Sequence, residues 1–524
     1  MPRALLQFIV LVFGASVCAV IGGLAGSGYA AYLLTVVLAT ATIGGIAFAL
    51  KRLAVIDYFV LLGICGYIVL NRGFAYIGFG SVGVPIYIGE VLVVVAAWSI
   101  QRRMREDHTR PFPAPMWWMI VCALIGTAHL LGDVATVGVE AIRNFSVLYY
   151  AIFFPFGYYL ALDAGRRRRT YAILGIAFFL ELIHASTYAI RHTIAPWITF
   201  GNEDVPLLGN HGASYIMSVG ALFFLALSGK SALGWRPLTR AAVALWGIVA
   251  VALYESRSGL MSLLTATVAL LIIRRARAMR LVSALVISFI ALISFLDLIN
   301  VRMKSDRGDL TLSGLLYYMR SVVVDDAPNR VSGQEEGFEV DRQMAQGLAG
   351  TRKGRINWWE DIITRTLSEP GSATYGRGFS EILVPVKLAG GFYIRYPHNV
   401  YVTVLARVGL VGLACFIAFH LHVIGGLIGR IRRRPAEELG VRDDLLVWAL
   451  FLISVMVGAS FAVVHESPFL AAPLYFFNGF AWALVDLDRR GLLDVAPAVV
   501  APVRVETVPR GVPTALAPEF RPTV

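Results

Sequence analysis

Several stretches of this chain carry basic side chains in positions where an anion and a proton can be handled together. His398 and Asn399 follow Tyr396 and Pro397 and open a long apolar run. Arg257 stands in the short hairpin Ser256-Arg257-Ser258-Gly259, and Arg143 lies in Val139-Glu-Ala-Ile-Arg-Asn-Phe145, just ahead of another apolar run. Arg352, Lys353 and Arg355 cluster a few residues before Trp358. A neutral imidazole accepts a proton, and guanidinium forks bind phosphate or diphosphate oxygens in pairs. The chemistry these groups permit together is removal of a proton from a nucleophile while an anionic leaving group is held.

The elements that must position these groups are membrane helices. Of the 524 residues 57% are hydrophobic and only 15% charged, whereas a soluble globular domain is about half apolar and about a quarter charged. A soluble enzyme is excluded, and an all-α polytopic membrane protein is expected. Apolar runs long enough to span a bilayer, about 20 residues each, fall near residues 4-25, 28-50, 53-70, 84-100, 116-131, 145-163, 171-190, 212-229, 241-254, 258-273, 281-299, 398-428, 444-464 and 469-485. The expectation is therefore about 14 spans, within a range of 12 to 14. Residues 1-299 hold the first eleven, 300-397 form a long and partly helical outer loop domain, and 398-485 hold the last three. The Pro-rich stretch 486-524 reads as a disordered tail.

The net charge of +12 is explained by topology rather than by a nucleic-acid partner. With alternate loops assigned to opposite sides, one side takes 23 Lys and Arg and the short loops of the other take four: Arg72, Arg143, Arg191 and Arg257. Cytoplasmic loops carry this excess, so both termini are expected in the cytoplasm. Every even-numbered span then runs inward, with the positive end of its helix dipole at the outer face. Arg143, Arg257 and His398 sit at three such ends, and helix N-termini favour anions. The dipole and the nearby arginines should both keep His398 neutral near pH 7, as a general base requires. The plainer alternatives are Arg143 or Arg72 snorkelling to lipid headgroups and a purely structural His398.

In the long loop, Ile356, Trp359, Ile363 and Leu367 recur at helical spacing, which predicts an amphipathic helix over 355-368 with Arg352, Lys353 and Arg355 at its start. Trp358, on another face, offers either a sugar-stacking surface or an interfacial anchor. Glu90 lies inside a span and is a candidate partner for Arg72. His465-Glu466, in a short outer turn, reads either as a solvated turn or as groups reaching the same site, and Asp325-Asp326 as a solvated loop pair. The four cysteines, Cys18, Cys65, Cys122 and Cys415, lie in apolar stretches, and no metal-ligand spacing occurs.

Ser256-Arg257-Ser258-Gly259, Gly354-Arg355-Ile-Asn-Trp358, Tyr375-Gly-Arg-Gly-Phe379 and His398-Asn-Val-Tyr401 with Gly409-Leu-Val-Gly-Leu413, in that order, resemble the O-antigen ligase and polymerase superfamily over roughly residues 240-425. The resemblance implies a GT-C-like, metal-independent, inverting glycosyltransferase of the bacterial inner membrane, without a cofactor. Its donor would be an undecaprenyl-diphosphate-linked glycan at the periplasmic face, and its acceptor lipid A core (ligase) or a lipid-linked repeat unit (polymerase). His398 would deprotonate the acceptor hydroxyl, and Arg143, Arg257, Arg355 and Arg352 would hold the diphosphate, with Asn399, Ser256, Arg72 and Trp358 in support. A transporter or flippase of an anionic lipid-linked substrate is the competing expectation.

Overall fold

The computed structural model describes residues 55–79, 86–106, 112–190, 199–200, 205–207, 214–228, 232–254, 256–298, 304–305, 308–309, 342–384, 386–387, 393–394, 396–433 and 441–493. The expected spans 4-25 and 28-50, the Asp325-Asp326 pair and most of the Pro-rich stretch lie outside them. In chain order the helices are α1 Val55–Ala75, α2 Ile88–Glu106, α3 Met116–Val137, α4 Val139–Asn144, α5 Ser146–Tyr149, α6 Phe153–Leu162, α7 Ala164–Ser186, α8 Ser214–Phe223, α9 Pro237–Leu253, α10 Arg257–Leu298, α11 Arg342–Leu367, α12 Pro370–Tyr375, α13 Val400–Arg433, α14 Val441–Gly458 and α15 Pro468–Arg489. The strands are four antiparallel pairs of two-residue segments.

Among the described residues, α1, α3, α13 and α15 are long and apolar enough to cross a membrane. The bent pair Ser146–Leu162 and Ala164–Ser186 makes a fifth if taken as one span, and five shorter apolar helices accompany them. This is a multi-pass helical membrane protein, but the expected fourteen separate spans are not what the described helices provide. Two of the reasons are local. The expected spans on either side of Arg274 are the shorter apolar helices Ser258–Arg274 and Val282–Phe295, which run together as α10 across a kink at Arg274, with Arg275, Arg277 and Arg280 inside the helix rather than in a loop. The Arg166–Arg169 run likewise sits inside α7, because Asp163 alone makes the 118° bend and caps the new helix, its Oδ1 accepting from the Arg166 amide at 2.7 Å. Arginine is a good helix former, so a cationic run does not by itself interrupt a helix.

At the centre, α15 packs along α6 and α1, and α13 along α3. Helices α6 and α15 cross at Gly157 and Gly479: a Cβ on Gly479 would run into the Phe154 carbonyl, and one on Gly157 into that of Phe476. Small residues at such crossings let helix backbones approach closely where no hydrophobic driving force exists between helix and lipid. At one end of the bundle Asp57, 2% exposed, accepts from Ser99 Oγ and Arg103 Nη2, both at 2.5 Å, so this buried carboxylate is paired.

Helix α13 is broken near its start, at Gly409 (φ 71). The break frees carbonyls that the helix ladder would otherwise use, and the segment after α12 takes them. The Arg377 amide donates to the Ala406 carbonyl at 2.7 Å and the Gly378 amide to the Arg407 carbonyl at 3.2 Å. The buried Arg407 guanidinium answers with a bond to the Gly378 carbonyl at 2.9 Å. The same segment reaches α3 and α4: Asp133 accepts from the Phe379 amide at 2.6 Å, and Asn144 Nδ2 donates to the Phe379 carbonyl at 2.8 Å. Tyr375-Gly-Arg-Gly-Phe379 is thus a backbone clamp on a broken helix.

A side chain at Gly409 would be strained by its left-handed φ and would meet the Thr374 carbonyl. Gly409→Val is expected to cost on the order of 1–3 kcal/mol and to lower the unfolding midpoint in detergent. Gly132→Ala in α3, where a Cβ meets open space, is the control and should leave the midpoint unchanged or slightly raised.

Candidate functional site

His398 occupies a one-residue left-handed turn, φ 56, immediately before α13. Histidine is among the few non-glycine types enriched in that region, but the conformation persists only because its neighbours are held. Pro397 accepts from Trp359 Nε1 at 2.8 Å, and the Val400 amide donates to the Ala459 carbonyl at 3.0 Å. Asn399 caps α13, its Oδ1 accepting from the amides of Tyr401 at 3.0 Å and Val402 at 3.3 Å. Those amides would otherwise be orphaned at a helix start. Asn399 is therefore the residue that builds the turn on which His398 stands.

Burial first, and the charge of Arg355 second, lower the His398 pKa to about 4. The imidazole is accordingly neutral at pH 7. The expected direction is found, although desolvation outweighs the arginines that the sequence pointed to. Arg355 is half-buried and donates from Nη1 to the Phe461 carbonyl at 3.1 Å. It does not begin its helix: α11 starts at Arg342, so Arg352 and Arg355 stand within it rather than at its N-terminus. The buried side of α11 is also shifted from the expected one. Ile362 and Thr366 are buried, with Trp358, Trp359 and Ile363 packed beside them, whereas Ile356 and Leu367 are exposed. Trp358 therefore packs against this apolar cluster.

Arg143 lies in the last turn of α4, not at a helix N-terminus, so the dipole argument does not hold for it. It is tied to the His398 turn by its neighbour Asn144, whose Oδ1 accepts from the Tyr396 hydroxyl at 3.3 Å. The Arg143 guanidinium lies 5.4 Å from the centre of the Tyr87 ring, and that of Arg72 lies 5.3 Å from the Tyr76 ring while donating to its hydroxyl at 3.1 Å. The two tyrosines meet edge to face at 6.2 Å. The two arginines thus flank one aromatic pair. Glu90 accepts from the Tyr149 hydroxyl at 3.2 Å rather than pairing with Arg72.

Arg257 is the first residue of α10, and Ser256 caps that helix by accepting from the Gly259 amide at 3.4 Å. The side chains of Arg257 and Arg352 fall outside the described residues.

The structure adds groups that sequence reasoning missed or misread. His465 and Glu466 are buried, at 0% and 4% exposure, and not solvated. Glu466 accepts from Thr403 Oγ1 at 2.6 Å, and burial raises its pKa to about 7 against the opposing effects of Thr403 and Arg407. His465 is pushed well below its ordinary value by burial and by His420, whose ring centre lies 5.2 Å away. The turn between α14 and α15 therefore supports the His398 site through Ala459 and Phe461 and carries a buried acid beside it. The only hint in the sequence was the His465-Glu466 pair in the short turn between two apolar runs. Among the described residues no group of three or more His, Cys, Asp or Glu side chains is arranged to hold a metal ion.

A comparison with curated proteins gives no match. Residues 242–417, which run from α9 through the Arg257 hairpin and the His398 turn into the broken helix α13, match the protein-family model described as O-antigen ligase, and it is to that family that this part of the chain is similar.

Proposed function

We propose that this protein is a glycosyltransferase that moves glycan from an undecaprenyl-diphosphate-linked donor to an acceptor sugar hydroxyl at the periplasmic face of a bacterial inner membrane. The observation that carries the reading is the His398 turn: a neutral imidazole held rigidly at the head of a membrane helix, with the Arg355 cation close enough to depress its pKa. His398 takes the proton of the acceptor hydroxyl, whose oxygen attacks the anomeric carbon from the side opposite the diphosphate, inverting the centre. Arg355 and Arg143, with Arg257 and Arg352, stabilise the diphosphate as its bond to the sugar breaks, which is commonly the larger part of such catalysis. Arg72, Asn399, Ser256 and Trp358 position these groups. No metal or cofactor enters the scheme. The match to the O-antigen ligase model supports a glycan-handling role at a membrane, and a lipid A core or a lipid-linked repeat unit is the acceptor on either variant of the proposal.

A base with a pKa near 4 is weak, but the donor's own charge corrects it. A diphosphate beside Arg355 offsets the repulsion felt by the imidazolium and raises the His398 pKa in the bound complex. The sign of the pH dependence follows. The base must be neutral, so activity falls as pH drops through its pKa. The acid limb of kcat/KM, which reports the free enzyme, should lie near pH 4, and that of kcat should lie higher. Arg355→Ala removes the depressing charge and should shift the kcat/KM limb upward.

In vesicles, His398→Ala should lower transfer by ~10²–10⁴-fold, the usual contribution of a general base, while the protein still inserts and elutes as the wild type does. Arg143→Ala should weaken diphosphate donor binding more than it alters the acid limb. Unchanged transfer in His398→Ala would overturn the assignment of the base.

A further inference from the structure

The far end of α13 carries a second site. A groove of ≈ 360 Å³ runs between α13 and α15 and is lined by Leu421, His422, Gly425, Gly426, Gly429, Arg430, Arg433 and Arg489. Among the described residues no acidic side chain lines it. Arg430 is neutralised by the buried Asp488, which accepts from its Nε, while the Asp488 carbonyl accepts from Nη2 at 3.2 Å. Arg433 and Arg489 are exposed, and their charges remain uncompensated by any acid among the described residues. The Arg489 guanidinium is held 4.8 Å from the centre of the Trp482 ring, which fixes its place at the rim. The floor is made by glycines: a Cβ on Gly426 would meet the Trp482 ring, whereas one on Gly425 or Gly429 would meet nothing within 4 Å.

Depth in the bilayer decides the occupant. From Leu410, just past the break at Gly409, to Arg430 the helix advances ~30 Å at 1.5 Å per residue, about the thickness of the hydrocarbon core. Leu421, 62% exposed, therefore lies at acyl depth. Arg430 and Arg433 follow it by more than two turns and so lie roughly at headgroup depth, at the end of the helix opposite the break. A ligand in this groove would have an apolar end against Leu421 and Gly425 and an anion between Arg433 and Arg489. We propose that the groove is a binding site for an anionic phospholipid of that leaflet, its phosphate between Arg433 and Arg489 and one acyl chain along the glycine floor. Basic pockets between membrane helices on one face recognise such headgroups. The site is separate from the proposed transfer chemistry and does not depend on it.

The test uses the full chain in vesicles of equal parts phosphatidylglycerol and phosphatidylcholine, with the lipids retained on the solubilised protein read by native mass spectrometry. The wild type should retain phosphatidylglycerol at least tenfold in excess. Arg433→Gln/Arg489→Gln should abolish the preference. Gly429→Leu, which keeps every charge but fills open space on a helix face, should abolish it as well while the protein elutes unchanged. Equal retention of the two lipids by the wild type would overturn the proposal. So would an unaltered preference in Gly429→Leu, or displacement of the retained lipid by millimolar inorganic phosphate, which would mark a site for free anions.

Discussion

The break in α13 at Gly409 is the constraint from which the His398 end of this molecule follows. A membrane helix cannot leave backbone carbonyls unpaired in an apolar surround, because each unmet group costs several kcal/mol. The freed carbonyls of Ala406 and Arg407 must find donors, and the Arg377 and Gly378 amides are the ones that reach them. Once that segment is fixed, Phe379 lies between Asp133 and Asn144, and Asn144 meets Tyr396 two residues before His398. The first turns of α13 and the Arg143 segment are thereby referred to one clamp. Arg407 belongs to it as well: its guanidinium is buried, bonded to the Gly378 carbonyl and 5.8 Å from the centre of the Phe379 ring.

A second constraint acts on charge. Desolvation of an ionised group is costly enough that buried groups either pair or become neutral. The molecule uses both answers. Asp57 and Arg103 pair at one end of the bundle. Around the His398 turn, burial instead drives His398 and His465 toward the neutral base and Glu466 toward the neutral acid. Such neutral groups respond to whatever charge arrives next to them. That is why an anionic donor beside Arg355 alters the base so directly in the proposed scheme.

The sequence revealed an all-helical membrane protein and placed His398 and Asn399 at the start of a long apolar helix, because composition and hydropathy rest on local physics. It failed where tertiary context decides. Arg275 to Arg280 and Arg166 to Arg169 read as loops because cations were equated with solvent-side connections, yet arginine continues a helix readily. His465 and Glu466 read as a solvated turn because polar residues between two apolar runs usually are. Their burial comes from packing against Phe416, Tyr475 and Thr403, which are distant in the chain or on another helix. The role of Tyr375-Gly-Arg-Gly-Phe379 was invisible as well, since nothing local announces that a helix more than 25 residues later is broken.

The most direct test of the central claim is product stoichiometry. Purified protein in vesicles is mixed with a polyprenyl-diphosphate-linked glycan and an acceptor, with chelator present, while new glycosidic bonds and released polyprenyl diphosphate are counted together. The account predicts one bond of inverted anomeric configuration for each diphosphate released, undiminished by the chelator. Movement of the intact lipid-linked glycan across the membrane, with neither a new bond nor released diphosphate, would contradict it and mark the protein as a transporter.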